Sequence, residues 1–235
     1  MREQSAALDT IIPNTKKALF FAKRQLAELV YDAVNLEGIH YTLPEVQTLL
    51  EGVTVGGHHI VDQQIALNQA QAWRFLFEAV QEGSFHLSQN FVCQLHRIAG
   101  ENEALSWGVF RAGQVTISGT EYLPPPADQL IDHWKSIVLD YRGLSGMKLY
   151  QAAIGFFLDM ARIQFFYDVN KRMGRFMMNG ILLVQGYPVI NLPAKRQLEF
   201  NTLMLEFYRS HHKTPMTDFM LDCIDARVVD AMSEV

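Results

Sequence analysis

A mostly α-helical protein carrying one short β-hairpin is what this sequence predicts. Three observations point there: apolar residues recur at three- and four-residue steps along most of the chain, capping signals stand at the starts of those runs, and a single stretch alternates with a strand-like period. Leu19, Phe20, Ala22, Leu26, Leu29, Val30 and Ala33 mark a first long helix that closes at Gly38. Thr42-Leu43-Pro44-Glu45 spells a capping box with proline in the first turn, so a second helix starts near Leu43 and turns Val46, Leu49 and Leu50 inward. Beyond the Gly56-Gly57 link, Ile65 to Val80 reads as a third helix ending near Gly83, and Ser88 caps a fourth that carries Phe91, Val92, Leu95 and Ile98. Between Trp107 and Tyr122 the pattern shortens. Val109-Phe110-Arg111 and Gln114-Val115-Thr116-Ile117, joined by Ala112-Gly113, make the hairpin, and Pro124-Pro125-Pro126 ends it. Helices resume over 131–141, 147–163, 173–184, 196–208 and 218–232.

Composition narrows the function. With 235 residues, 49% hydrophobic and 19% charged, the chain can bury a full core. A formal net charge of −5 without any basic run speaks against nucleic acid as a partner. Cys93 and Cys223 lie far apart among apolar neighbours, as buried thiols in a reducing compartment do. Met1-Arg2-Glu3-Gln4 has no apolar signal core, and apolar runs such as 180–184 fall short of the ~20 residues of a membrane span, so the expectation is a cytoplasmic protein with no membrane contact.

The most informative stretch runs from Gln164 to Arg175, where one acid, the amides of Gln164 and Asn170 and three cations share a turn between two apolar runs. Backbone N–H groups at a helix start favour anions. Asp168 suits a divalent cation, while Asn170 and the guanidinium forks of Arg172 and Arg175 suit phosphate oxygens. Asp168 and Asn170 could equally serve as helix caps, but capping does not call for two further cations. Phe166 reads as a core anchor, Met173, Met177 and Met178 as packing, and Gly174 as a point of close backbone approach. His58-His59 and His211-His212 read as surface histidines, and His96 as a satisfied buried or boundary residue rather than a base.

Taken together, the turn resembles the signature of Fic (Fido) domains, His-x-Phe-x-Asp/Glu-Gly/Ala-Asn-Gly/Lys-Arg-x-x-Arg. Phe166, Asp168, Asn170, Lys171, Arg172 and Arg175 match it. Gln164 stands where the family has its catalytic His, Phe165 replaces a common Pro, and Val169 replaces Gly or Ala. The resemblance implies the helical Fic fold with its small hairpin flap, and a division into an N-terminal helical region at 1–86 and a core with C-terminal helices at 87–235. It implies ATP as substrate and Mg²⁺ at Asp168, phosphate binding by Asn170, Lys171, Arg172 and Arg175, and transfer of AMP to a protein hydroxyl. Lys171 is a pattern of the Doc-type branch, whose members resemble kinases. The segment Val115-Thr116-Ile117 resembles the flap that docks a protein or peptide target by strand pairing; a homodimer is left open.

Ala33-Val34-Asn35-Leu36-Glu37-Gly38 is similar to the inhibitory helix of the family, Ser/Thr-x-x-x-Glu-Gly/Asn, with Glu37 and Gly38 matching and Ala33 departing. The resemblance implies that Glu37 pairs with Arg175 in the place of the ATP γ-phosphate. Gln164 then separates the expectations. Glutamine cannot take a proton at neutral pH but can orient a hydroxyl, so one expectation is a Fic-type adenylyltransferase with impaired or altered activity. The other is a catalytically silent module that binds nucleotide or peptide. A purely structural role leaves both arginines without a purpose.

Overall fold

Local signals in the chain set most of the helix ends. The computed structural model describes residues 7–234; the expectation for Met1 to Gln4 lies outside the described residues. Helix α1 (Thr15–Arg24) starts where the Asn14 side chain accepts from the Lys17 N–H, and α2 (Leu26–Leu36) follows at once. The sequence expectation of one long helix fails here because Gln25 leaves helical geometry, with φ −90° and ψ 8°, and its side chain turns toward Asp225. Helix α3 (Leu43–Leu50) opens on the Thr42–Glu45 capping box, with both reciprocal bonds present. Next come α4 (Ile60–Glu82), ended by Gly83 in the left-handed region, and α5 (Gln89–Ala99), capped by Ser88.

Helix α6 (Leu130–Ile137) leads to the central pair, α7 (Gly146–Ile163) and α8 (Asn170–Val184). Buried residues dominate both, so the polar turn between them is held by core on either side. Gly174 lets the two approach: a Cβ there would meet the Phe157 side chain at 2.8 Å and its carbonyl oxygen at 3.0 Å. Helices α9 (Gln197–Ser210), α10 (Thr214–Asp222) and α11 (Ala226–Ser233) complete the fold. The last two replace the single helix expected over 218–232, because Asp225 accepts from the Arg227 N–H and starts a new helix. One apolar core runs from Leu8 to Met232.

The hairpin is a second correction. Among the described residues no strand forms, and residues 107–126 are an irregular loop. Its main chain is satisfied by side chains instead of a ladder. Arg111, 2% exposed, donates from its guanidinium to the carbonyls of Gln164 at 2.6 Å, Gly113 at 2.7 Å and Pro125 at 2.5 Å. The Gln114 amide adds a 2.8 Å bond to the Pro124 carbonyl. These bonds hold the carbonyls of Gly113, Pro124 and Pro125 to side chains.

Candidate active site

Gln164 ends α7 in the left-handed region at φ 56°, and Val169 precedes α8 at φ 65°. A β-branched residue there costs about 1–2 kcal/mol of strain. Burial of Val169 at 3% exposure and a 2.6 Å bond from its N–H to Asp168 Oδ1 hold it in place. Phe165 and Phe166 are fully buried. Phe166 stacks face to face on His96, with ring centres 3.7 Å apart, and the Arg111 N–H donates to the Phe165 carbonyl at 2.9 Å. Aromatic anchors and one buried guanidinium thus fix the turn.

Asn170 and Gln164 are bonded to each other. Asn170 Nδ2 donates to Gln164 Oε1 at 2.9 Å and to the Phe166 carbonyl at 2.8 Å, while Asn170 Oδ1 accepts from the Phe166 N–H at 2.9 Å. Gln164 Nε2 donates to the Ala161 carbonyl at 2.6 Å. Both amides therefore staple the turn. An amide so engaged has one lone pair of its oxygen left for a substrate hydroxyl and no basicity to offer.

The three cations are met by two acids. Arg172, 4% exposed, holds Glu103 by both of its terminal nitrogens, Nη1 at 2.9 Å from Glu103 Oε2 and Nη2 against Glu103 Oε1. Burial alone would lower the Arg172 pKa, but the bond to Glu103 together with the negative charges of Glu37, Glu103 and Asp168 outweighs it and the pKa is raised. Glu37 lies 3.1 Å from Lys171 Nζ and 3.7 Å from Arg175 Nη2. Burial pushes the Glu37 carboxyl up, yet Lys171, Arg172 and Arg175 together hold it below the usual carboxylate range. Burial lowers the Arg175 guanidinium to about 10 against the pull of Glu37.

Helix α2, which carries Glu37 just past its end, is clamped from the segment after α8. Asp32 accepts from Asn191 Nδ2 at 2.5 Å and from the Ala194 N–H at 2.7 Å. Gln197 Nε2 donates to the carbonyls of Asn35 and Leu36 at 2.9 and 3.0 Å. Ala33 offers no hydroxyl, and these groups do the anchoring.

His96 links the turn to the irregular loop. Its Nδ1 accepts from the Gly108 N–H at 3.0 Å, which leaves the proton on Nε2, 3.4 Å from the Asp168 carbonyl. Burial lowers the imidazole pKa to about 4, so the ring is neutral. His58 departs from the surface expectation: it stacks on Tyr41 at 3.8 Å and lies 3.3 Å from Glu45.

An open cleft of roughly 520 Å³ lies over the turn, within the usual range of small-molecule sites. Gln164, Asp168, Asn170, Lys171, Arg172 and Glu37 reach it, and so do Thr116 and Ile117. Of the expected residues, Val115 and Arg175 are not in its walls; Arg175 lines a smaller cavity behind. Glu103, Asp32 and Gln197 escaped the sequence reading because each meets the site from a distant part of the chain, without a motif to mark it.

Residues 86–182 match the model of the Fic/DOC family. Curated relatives from several insects carry the name protein adenylyltransferase Fic. The protein from Drosophila mojavensis is 25% identical over 230 residues, covering 91% of this chain and 43% of the relative. The one from Aedes aegypti is 23% identical over 220 residues, covering 91% and 43%. The chain thus spans less than half the length of these relatives. Among solved structures, a Fic domain containing signaling protein from Bacteroides thetaiotaomicron aligns with a TM-score of 0.76 at 18% identity, covering 99% of this chain and 93% of that one. Fic-1 from C. elegans aligns at 0.74 with 17% identity, covering 93% and 71%. A further neighbour, IbpAFic2 covalently tethered to Cdc42, aligns at 0.52 with 13% identity, covering 99% and 68%. At these identities the solved structures speak for the fold.

Proposed function

The chain carries a Fic/DOC domain in residues 86–182, and on that premise we propose that it binds ATP in the cleft over the Asp168 to Arg175 turn and is an adenylyltransferase weakened at Gln164. The observation that carries the reading is the turn itself: Lys171 and Arg172 reach one cleft, with Arg175 directly behind, and carboxylates now stand against them where phosphates would. The relatives named protein adenylyltransferase support the transferred group.

Mg²⁺ fits the donor set. Asp168 Oδ1 takes the Val169 N–H, which leaves Oδ2 as a hard oxygen donor at the cleft. Among the described residues no three His, Cys, Asp or Glu side chains converge. That is the pattern for Mg²⁺, which takes one or two carboxylates and completes its shell with phosphate and water. Bound there, the ion would supply charge neutralisation between phosphates.

In the transfer itself, a target hydroxyl oxygen bonds to the α-phosphorus, the bond from that phosphorus to the bridging oxygen breaks, and pyrophosphate leaves. The hydroxyl proton must pass to solvent, because Gln164 cannot accept it. Loss of a general base lowers such a rate by about 10²–10⁴. The target is a protein segment lying along Thr116 and Ile117, a docking supported by their place in the cleft wall. Among the described residues no helix is long and apolar enough to cross a membrane.

The deciding experiment compares wild type with Gln164→His, using ATP labelled at the α-phosphate and mass analysis of the products. Labelling that rises in Gln164→His supports the weakened transferase. Nucleotide binding with no labelling in either protein supports a silent binding module. Calorimetry without nucleotide heat, even in Glu37→Gly, overturns the nucleotide reading.

A further inference from the structure

Behind the phosphate cleft, between α2, α4 and α8, lies a separate cavity of about 20 Å³ lined by Gln69, Arg172 and Arg175, by Asn179 and Asn191, whose amides are already bonded to Ile190 and Asp32, and by apolar side chains. Gln69 is fully buried on α4, yet neither of its amide atoms has a hydrogen-bond partner within the protein. Its neighbour Asn68, equally buried, is bonded to the Glu101 carbonyl at 2.9 Å and to Gln64 at 2.8 Å. Arg172 Nε and Arg175 Nη2 are also buried without a hydrogen-bond partner. Buried polar atoms are paired in the great majority of cases, so four on three residues that line one small cavity ask for a shared guest.

Size and charge identify it. One water needs about 10–15 Å³ of such space and two to four polar partners. A cation would face two guanidinium groups. An anion has little charge left to neutralise, since Glu103 answers Arg172, Glu37 answers Lys171 and Arg175, and the Asp32 carboxylate adds a third negative charge in the field of Arg175; it would also repel Gln69 Oε1. Water alone can donate to that oxygen while accepting from Arg172 Nε–H and Arg175 Nη2–H.

We propose that this cavity binds one ordered water and that Gln69, acting through it, is a positioning residue for both arginines. The second half rests on the nucleotide reading above; the first does not. Once Arg172 exchanges Glu103 for a phosphate, its fork keeps its direction only if its inner edge stays bonded, and the Gln69 water supplies that bond.

The test has two arms. In a crystal structure of the chain resolving solvent, with a parallel bromide soak, a single water peak within bonding distance of Gln69 and Arg172 Nε is expected. An anomalous bromide peak, or no ordered density, overturns the water site. In calorimetry on a Glu37→Gly background, Gln69→Leu should weaken Mg·ADP binding about tenfold, the scale of one hydrogen bond to a charged group. Gln69→Glu, which can bond the arginines directly, should restore much of it. Unchanged affinity in Gln69→Leu overturns the positioning role. If Gln69→Leu fails to fold, Gln69→Met takes its place in the same comparison. If no variant binds nucleotide, the nucleotide reading and the positioning role fall together, and the crystal density still decides the water.

Discussion

Glu37 stands closer to Lys171, at 3.1 Å, than to Arg175, at 3.7 Å. The carboxylate is shared, and its short contact is to the partly exposed lysine. Neither Glu37 Oε1 nor Arg175 Nη2 has a hydrogen bond, so the pair expected from the resemblance is an electrostatic contact and not a bidentate one. On the proposed function, an arriving phosphate would compete first for a lysine, which binds as a point charge without the geometric fit of a fork.

Replacing Glu37 by Gly therefore frees two cations at once. ATP affinity should rise by at least about tenfold, and by more than that of ADP, on the basis of roughly 1.5–3 kcal/mol for a charged contact broken by truncation. Titration calorimetry with both nucleotides measures it. Equal gains for ATP and ADP would leave Glu37 an ordinary helix-end acid.

Glu103→Gln should destabilise the fold by about 3–5 kcal/mol, because Arg172 would remain charged, buried and half paired. Inorganic phosphate should recover part of the loss by taking the vacated fork. Thermal unfolding with and without phosphate reads this directly, and a melting temperature indifferent to the substitution would mean that the clasp contributes nothing.

The buried neutral His96 predicts a pH dependence. Its folded pKa of about 4 lies below the ordinary 6.5. Between those values the unfolded chain binds the extra proton, so this contribution is complete above about 6.5 and is lost as pH falls toward 4. The window amounts to about 3 kcal/mol. Urea unfolding at several pH values should show the slope in wild type and a flatter one in His96→Gln; identical slopes would clear His96 of the effect.

Asp32→Ala should loosen the clamp on α2. Losing two bonds to a carboxylate costs about 1.5–3 kcal/mol, reduced by what burial of that charge already costs, since burial raises the Asp32 pKa. Hydrogen exchange should rise along Leu26–Leu36 more than along Asn170–Val184. A uniform change would show that the clamp acts on the whole fold.

Helices and the polar turn of the candidate site were legible in the sequence for one reason: both are written in consecutive residues. Periodicity marked α5 and α7, the capping box marked α3, and the Asp168 to Arg175 spacing marked the phosphate turn. The break at Gln25 was missed because a side chain reaching across the chain to Asp225 goes with it, and the break at Asp225 because a local cap interrupts an otherwise unbroken apolar rhythm. The loop at 107–126 alternates like a hairpin, yet Arg111 draws its carbonyls inward, and no local pattern announces that. Glu103 was invisible for a similar reason: 69 residues separate it from Arg172.

The clamp on α2 also sets a tempo. Asp32 and Gln197 fasten the helix to the segment after α8, so its end cannot swing away as a body without breaking bonds to Asn191, Ala194 and its own last carbonyls. What remains free to turn is the Glu37 side chain. Side-chain rotation runs orders of magnitude faster than the microseconds to milliseconds of collective helix shifts. For a nucleotide bound as proposed above, opening by that rotation would be a rapid equilibrium, with no lag between the arrival of ligand and the opening.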